Sequence, residues 1–168
     1  MAQRTHIELS LPDEDATRRV AERLAPLLDV GDVLLLSGEI GAGKTAFARA
    51  LIQARLRPAG RLEDVPSPTF TLIQTYDDGV AEIVHADLYR LGALGETDEL
   101  GLEEAFDTAI CLVEWPDRLE GTAPGRALSL DFALTETEGA RWLVLDGAAD
   151  VWGGRLQQIA ALQEAVAS

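Results

Sequence analysis

The apolar run Val33-Leu34-Leu35-Leu36, followed closely by Gly38-Glu39-Ile40-Gly41-Ala42-Gly43-Lys44-Thr45, constrains this chain more than any other feature. A short unbroken apolar run is what a central parallel strand needs when both its faces are covered. After the glycines, Ala46, Phe47, Ala50, Leu51 and Ala54 recur at the spacing of one helix face. Between strand and helix, glycine lets the backbone turn tightly, so that successive amide N–H groups converge on a concave anion site at the helix N-terminus. Strand, loop and helix in that order predict an α/β domain that holds phosphate.

Lys44 is the only lysine in 168 residues; arginine supplies the rest of the 14 basic residues, and asparagine is absent. Compositional drift explains why lysine is missing elsewhere. It does not explain why the survivor stands where a phosphate loop requires a compact ammonium group. Lys44 is therefore expected between the β and γ phosphates of a nucleotide, with the Thr45 hydroxyl directed at Mg²⁺.

Such a site also needs a carboxylate at the tip of a neighbouring strand. Two runs end in one: Ala81 to Asp87 and Ala109 to Glu114. The second is more purely apolar and better fits a buried central strand whose C-terminal end faces the phosphates. Each carboxylate is followed within two residues by an aromatic, Tyr89 or Trp115. Spacing alone leaves open which one holds metal and which one serves the attacking water.

The remaining pattern completes a three-layer α/β domain with a mixed sheet, parallel at its centre. Residues 5–11 alternate polar and apolar like a half-exposed strand, and Pro12-Asp13-Glu14-Asp15 starts a helix with Ala16, Val20 and Leu24 on one stripe. Further strands are expected at 70–76, 81–87, 109–114, 127–134 and 141–146, and helices near 95–106 and 153–166. Asp77-Asp78-Gly79 should turn a hairpin between two of these strands. Residues 57–68, with three prolines, read as a loop. Residues 1–149 are expected to form the nucleotide-binding domain, and 150–168 an amphipathic helix of that domain carrying Leu156, Ile159, Ala160 and Leu162.

Charge narrows the partners. A net charge of −15 and a pI near 4.4 argue against unaided binding to nucleic acid, because affinity for a polyanion rests mainly on clustered cations. Arg49, Arg55, Arg57 and Arg61 gather after the loop but read as a solvated helix face. Nothing suggests a membrane span, and the residues after Met1 lack the apolar stretch of a secretory leader, so a cytoplasmic location is expected. Cys111 sits in an apolar run and is expected to be buried. His85 reads as a half-buried strand residue and His6 as a surface one. No Cys/His cluster has zinc spacing, and no G-x-S-x-G supports acyl transfer.

Pro66-Ser67-Pro68-Thr69-Phe70 lies between the helix after the loop and the next strand, where a segment sensing the γ phosphate is often placed. Ser67 and Thr69 offer hydroxyls for such a switch-like element. Taken in order, Gly-Glu-Ile-Gly-Ala-Gly-Lys-Thr at 38–45, Pro-Ser-Pro-Thr-Phe at 66–70, His-Ala-Asp-Leu-Tyr-Arg at 85–90 and Val-Glu-Trp-Pro-Asp-Arg at 113–118 resemble the signature motifs of the TsaE (YjeE) family. The resemblance covers roughly residues 10–145. The first motif is generic, whereas the other three in this order are specific.

The resemblance implies a Mg²⁺-dependent ATPase, weak alone, required for N6-threonylcarbamoyladenosine at position 37 of tRNAs that read codons beginning with A. It implies action with TsaD and TsaB, which transfer the threonylcarbamoyl group, while TsaC makes the activated intermediate. ATP hydrolysis would reset the complex between turnovers, with tRNA contacted only indirectly. By position, Ile40, Gly41, Ala42, Gly43, Lys44, Thr45 and Ala46 become the nucleotide-binding loop, Thr45 and Glu114 the metal ligands, and Lys44, Asp87 and Glu114 the catalytic set. Trp115 becomes a neighbouring aromatic that reports binding. At Ala46 the family often has a second threonine, so only a backbone contact survives there. Base-contacting residues stay open, with Glu14 one possibility.

Two rival classes share the loop. A small-molecule kinase would need a basic lid, and the acidic segment 90–107 offers only Arg90. A non-hydrolysing ATP-binding adaptor would need nothing further. A GTPase is excluded on its usual Asn-Lys-x-Asp motif, since the chain has no Asn and its single Lys is already used.

Overall fold

A computed structural model describes residues 3–61, 64–66, 68, 72–89, 101–119 and 121–167, with side chains described as far as residue 161. Its strands are β1 (Arg4–Leu11), β2 (Val33–Gly38), β3 (Ile73–Asp77), β4 (Glu82–Asp87), β5 (Ile110–Glu114), β6 (Leu128–Leu134) and β7 (Arg141–Ala148). Its α-helices are α1 (Glu14–Leu24), α2 (Lys44–Leu56), α3 (Leu102–Thr108) and α4 (Ala149–Ala167). The sheet order is β1-β7-β6-β2-β5-β4-β3. β6, β2, β5 and β4 run parallel, while β1, β7 and β3 add antiparallel edges.

Period-two alternation divides the core between the two faces of this sheet. Leu34 and Leu36 of β2, with Ile110 and Leu112 of β5, pack with α1, α2 and α4; Val33, Cys111 and Val113 pack on the other face with Leu102 and Phe106 of α3. That is the three-layer α/β arrangement with a parallel centre. All five residues of β5 are buried, and each fully buried aliphatic side chain contributes roughly 1.5–3 kcal/mol relative to exposure. Burial pushes the Cys111 thiol up to about 12, so it stays an inert core group.

Local chemistry explains the element ends. Asp13 caps α1 by accepting from the Ala16 N–H at 2.8 Å, and Glu14 and Asp15 occupy the first turn. The hairpin between β3 and β4 is held by Asp78, which accepts from Val80 and Ala81 N–H at 2.8 and 2.7 Å. Arg55 of α2 pairs with Asp78 at 2.7 Å and donates to the carbonyls of Ala25 and Leu28. The reading of Arg55 as part of a solvated face is thus corrected: its side chain is only 12% exposed. The others in that group differ, with Arg49 donating to the Val65 carbonyl and Arg61 lying beside Asp77.

Several bounds shift. β3 begins at Ile73, and residues 70 and 71 of the expected strand lie outside the described residues. Residues 95–100 of the expected helix do as well, and α3 covers its end. α4 starts four residues earlier than its periodicity predicts, because Gly153 and Gly154 obscure the pattern at its start. Its Trp152, Leu156 and Ile159 are buried in the same core as α1 and α2. Among the described residues no helix is long and apolar enough to cross a membrane.

Candidate nucleotide site

The site grows from the C-terminal ends of β2, β4 and β5. β2 ends at Gly38, with φ +142°, where an added Cβ would run into the Phe132 carbonyl of β6; the strand therefore leaves the sheet at a point only glycine fits. The chain turns through residues 39–42, and Gly43 at φ +108° caps the N-terminus of α2. The loop is held from inside by the Ala42 N–H, which donates to the Glu39 carbonyl at 3.1 Å.

Lys44 opens α2 and folds back over the loop. Its Nζ donates to the carbonyl of Gly38 and, at 3.0 Å, to that of Glu39. The same nitrogen lies 4.2 Å from the centroid of the Trp115 ring. Burial holds the ammonium below its usual range, while the charges of Glu114 and Asp87 oppose that shift. Trp115 is itself in the left-handed region, at φ +60°, a conformation that is costly for a bulky residue. Its N–H bonds the Leu36 carbonyl at 3.2 Å and its ring packs on Tyr89 at 4.9 Å, which together fix it above the lysine.

Register brings the carboxylates together. Asp87 and Glu114 are paired positions on β4 and β5, and Leu36 pairs with Glu114 from the other side. Both acidic side chains therefore reach the face covered by α2. Thr45 Oγ1 donates to Glu114 Oε1 at 2.7 Å, and His85 Nε2 lies 2.7 Å from Glu114 Oε2. Asp87 accepts from the Tyr89 N–H at 3.0 Å. Burial raises the Asp87 carboxyl above its ordinary range, and the neighbouring charge of Glu114 adds to this, against the Tyr89 N–H, His85 and Lys44.

These groups border one cleft of about 450 Å³. Ile40, Gly41, Gly43, Lys44, Thr45 and Ala46 form its loop side, Asp87 and Glu114 its floor, and Tyr89, Trp115 and Glu14 its rim. Ala42 is fully buried and its side chain belongs to the core. Ser67 and Thr69 lie outside the described residues. The donor set fits ATP with Mg²⁺: a hydroxyl and a carboxylate in contact, a second carboxylate beside them, and an ammonium resting on loop carbonyls. Mg²⁺ prefers oxygen ligands, takes one or two carboxylates and fills its shell with water and phosphate oxygens.

Two participants escape sequence reasoning. His85 is fully buried against Glu114, so the half-buried strand reading is corrected. Its place two residues before Asp87, on the same face of β4, was the available signal. Arg141 of β7 bonds the loop from nearly a hundred positions away, and no local pattern marks it.

A family model described as "Threonylcarbamoyl adenosine biosynthesis protein TsaE" matches residues 11–142. The chain belongs to the TsaE family. Among similar TsaE proteins, the "tRNA threonylcarbamoyladenosine biosynthesis protein TsaE" of Rickettsia felis is 42% identical over 109 residues, covering 65% of this chain and 62% of that relative. The match thus spans less than two thirds of the Rickettsia protein. The Bacillus subtilis TsaE is 39% identical over 120 residues, covering 71% of each chain. The crystal structure of Bacillus subtilis YdiB superposes with a TM-score of 0.73 at 25% identity, covering all of both chains. The TsaE match contains the whole loop, Asp87, Glu114 and, near its end, Arg141.

Proposed function

We propose that this TsaE-family chain binds ATP and Mg²⁺ and hydrolyses ATP in the synthesis of N6-threonylcarbamoyladenosine at position 37 of tRNAs reading codons that begin with A. The observation that supports it most directly is the convergence of Lys44, Thr45, Asp87 and Glu114 on one cleft beside the glycine loop. Lys44 would exchange the Gly38 and Glu39 carbonyls for phosphate oxygens when a nucleotide enters. Thr45 and Glu114 would hold Mg²⁺, which supplies charge neutralisation on the phosphates when bound. Asp87, made more basic by its burial, would orient water and take up its proton. Ile40 and Tyr89, which border the cleft, are exposed, which suits a site whose turnover depends on partners.

TsaD and TsaB are the proposed partners, with ATP hydrolysis resetting their complex in the cytoplasm, and the whole of residues 1–168 acting as one domain. A net charge of −15 favours contact with tRNA only through those proteins. The test is reconstitution with TsaB, TsaD, TsaC, ATP, threonine, bicarbonate and tRNA. Multiple turnovers of tRNA modification should require this chain and be lost with Lys44→Ala. Unchanged ATP hydrolysis by a well-folded Lys44→Ala variant would overturn the ATPase reading.

A further inference from the structure

Glu114 is held at both oxygens. Oε1 accepts from Thr45 of α2, and Oε2 lies 2.7 Å from Nε2 of His85 on β4. An ionised carboxylate can only accept, so Nε2 carries the proton of that bond. The two anchors come from different elements, and a carboxylate bonded at both ends has its plane fixed.

His85 is an expensive way to fill this position. It is 0% exposed, and its Nδ1 has no hydrogen-bond partner among the described residues. Burying a polar nitrogen without a partner costs stability. His85 pairs in register with Gln74 on β3 and Leu112 on β5, and Leu112 and the neighbouring Ile83, both buried, show that an aliphatic side chain packs readily on this face. Packing alone therefore does not account for an imidazole here. The bond from Nε2 does.

We propose that His85 is a positioning residue that holds Glu114 in the orientation in which Oε1 meets the Thr45 hydroxyl, and so prepares the pair to bind Mg²⁺ with a nucleotide. Without that bond one oxygen of a buried carboxylate loses its donor, and the side chain is drawn toward the next available cation, Lys44, away from Thr45. Groups that orient a metal ligand from behind typically change metal affinity 10–100-fold. The inference rests on the reading of Thr45 and Glu114 as Mg²⁺ ligands.

The experiment is calorimetric titration of the full chain with ADP, in Mg²⁺ and in EDTA, for wild type and for His85→Leu, His85→Gln, His85→Asn and Glu114→Ala, each checked by thermal melting. The quantity read is the ratio of the two affinities, which a loss of packing alone does not move. His85→Leu should shrink that ratio by about tenfold or more, with EDTA affinity within about twofold of wild type. His85→Gln should recover most of it, because its amide reaches the Nε2 position, whereas His85→Asn should not. If His85→Leu does not fold, the Gln and Asn pair decides alone, and equal ratios in those two overturn the proposal. A normal ratio in His85→Leu with a collapsed ratio in Glu114→Ala overturns the role of His85 only. A normal ratio in Glu114→Ala removes the metal reading and the proposal with it.

Discussion

Arg141 Nη2 donates to the Gly41 carbonyl at 2.9 Å, while Nε of the same guanidinium donates to the Ala42 carbonyl at 3.1 Å. One side chain from β7 therefore occupies two consecutive carbonyls of the phosphate loop. Turning those carbonyls outward commits the loop's amide groups to the other side, where a phosphate would sit. Hydrogen bonds from a charged donor contribute about 1.5–3 kcal/mol each when sheltered, and less at a partly exposed site such as this. Arg141→Ala is expected to weaken ATP binding by about tenfold, equivalent to about 1.4 kcal/mol. Arg141→Lys, which keeps the charge but lacks the planar fork, should recover little of it. Calorimetry on the two variants checks this; unchanged affinity in Arg141→Ala would mean that the loop holds its shape alone.

Glu114 touches Thr45 directly, whereas Asp87 reaches only the Tyr89 N–H. Glu114→Ala should therefore reduce the Mg²⁺-dependent part of nucleotide binding more than Asp87→Ala. Asp87→Ala should instead slow hydrolysis by about 10²–10⁴-fold, the usual contribution of a positioned base. Calorimetry with and without Mg²⁺, alongside single-turnover hydrolysis, separates the two. Equal metal dependence in both variants would reverse or merge the roles assigned to the carboxylates.

How much of this was legible in the sequence depends on the range of each interaction. The loop, Lys44 and Thr45 lie within one strand–turn–helix unit, so local periodicity and glycine placement suffice to locate them. Asp87 and Glu114 could be named as strand-end carboxylates, but choosing between them requires knowing that Thr45 points at one of them. Arg55 was misread because a helix face beyond the loop resembles a solvated one until Asp78 folds over it from the hairpin. Arg141 was invisible because its partners are backbone carbonyls, which carry no side-chain signature. His85 reads as an ordinary strand residue until the parallel pairing of β4 and β5 sets it diagonally across from Glu114.

Asp78 provides a test of stability against pH. Burial alone would raise its carboxyl, but the Ala81 and Val80 N–H groups and the Arg55 guanidinium outweigh that and hold it below its ordinary value of 3.8. A carboxyl depressed by folding stabilises fully above its unfolded value, and that contribution is lost as pH falls through the folded one. Asp78→Ala leaves Arg55 without its ion pair, at a cost of about 3 kcal/mol near neutral pH. The gap between wild type and variant should narrow progressively below about pH 4. Urea unfolding at pH 7, 5 and 3 measures it, and a gap that stays constant down to pH 3 would show that the charge contributes nothing.

Trp152 decides whether α4 is part of the core or an appendage. It is fully buried, its Nε1 donates to the Arg126 carbonyl at 2.7 Å, and its ring lies so close to Gly147 that an added Cβ there would stand 2.6 Å from the ring edge. β7 thus gives up a side chain so that the indole can lie against the strand, and the indole in turn satisfies a carbonyl that precedes β6. Arg155, one turn further along α4, stacks on the same ring at 3.8 Å and pairs with Asp32 at 2.6 Å just before β2. Helix, sheet and the approach to the phosphate loop are therefore fastened together by two neighbouring side chains of α4. Trp152→Ala should destabilise the fold by about 3–5 kcal/mol, from lost burial and the cavity left behind. Gly147→Ala should also destabilise, because the ring would have to leave its place against β7. Denaturant unfolding of both variants checks this, and a stable Trp152→Ala protein would mean that residues 149–167 are carried by the domain without supporting it.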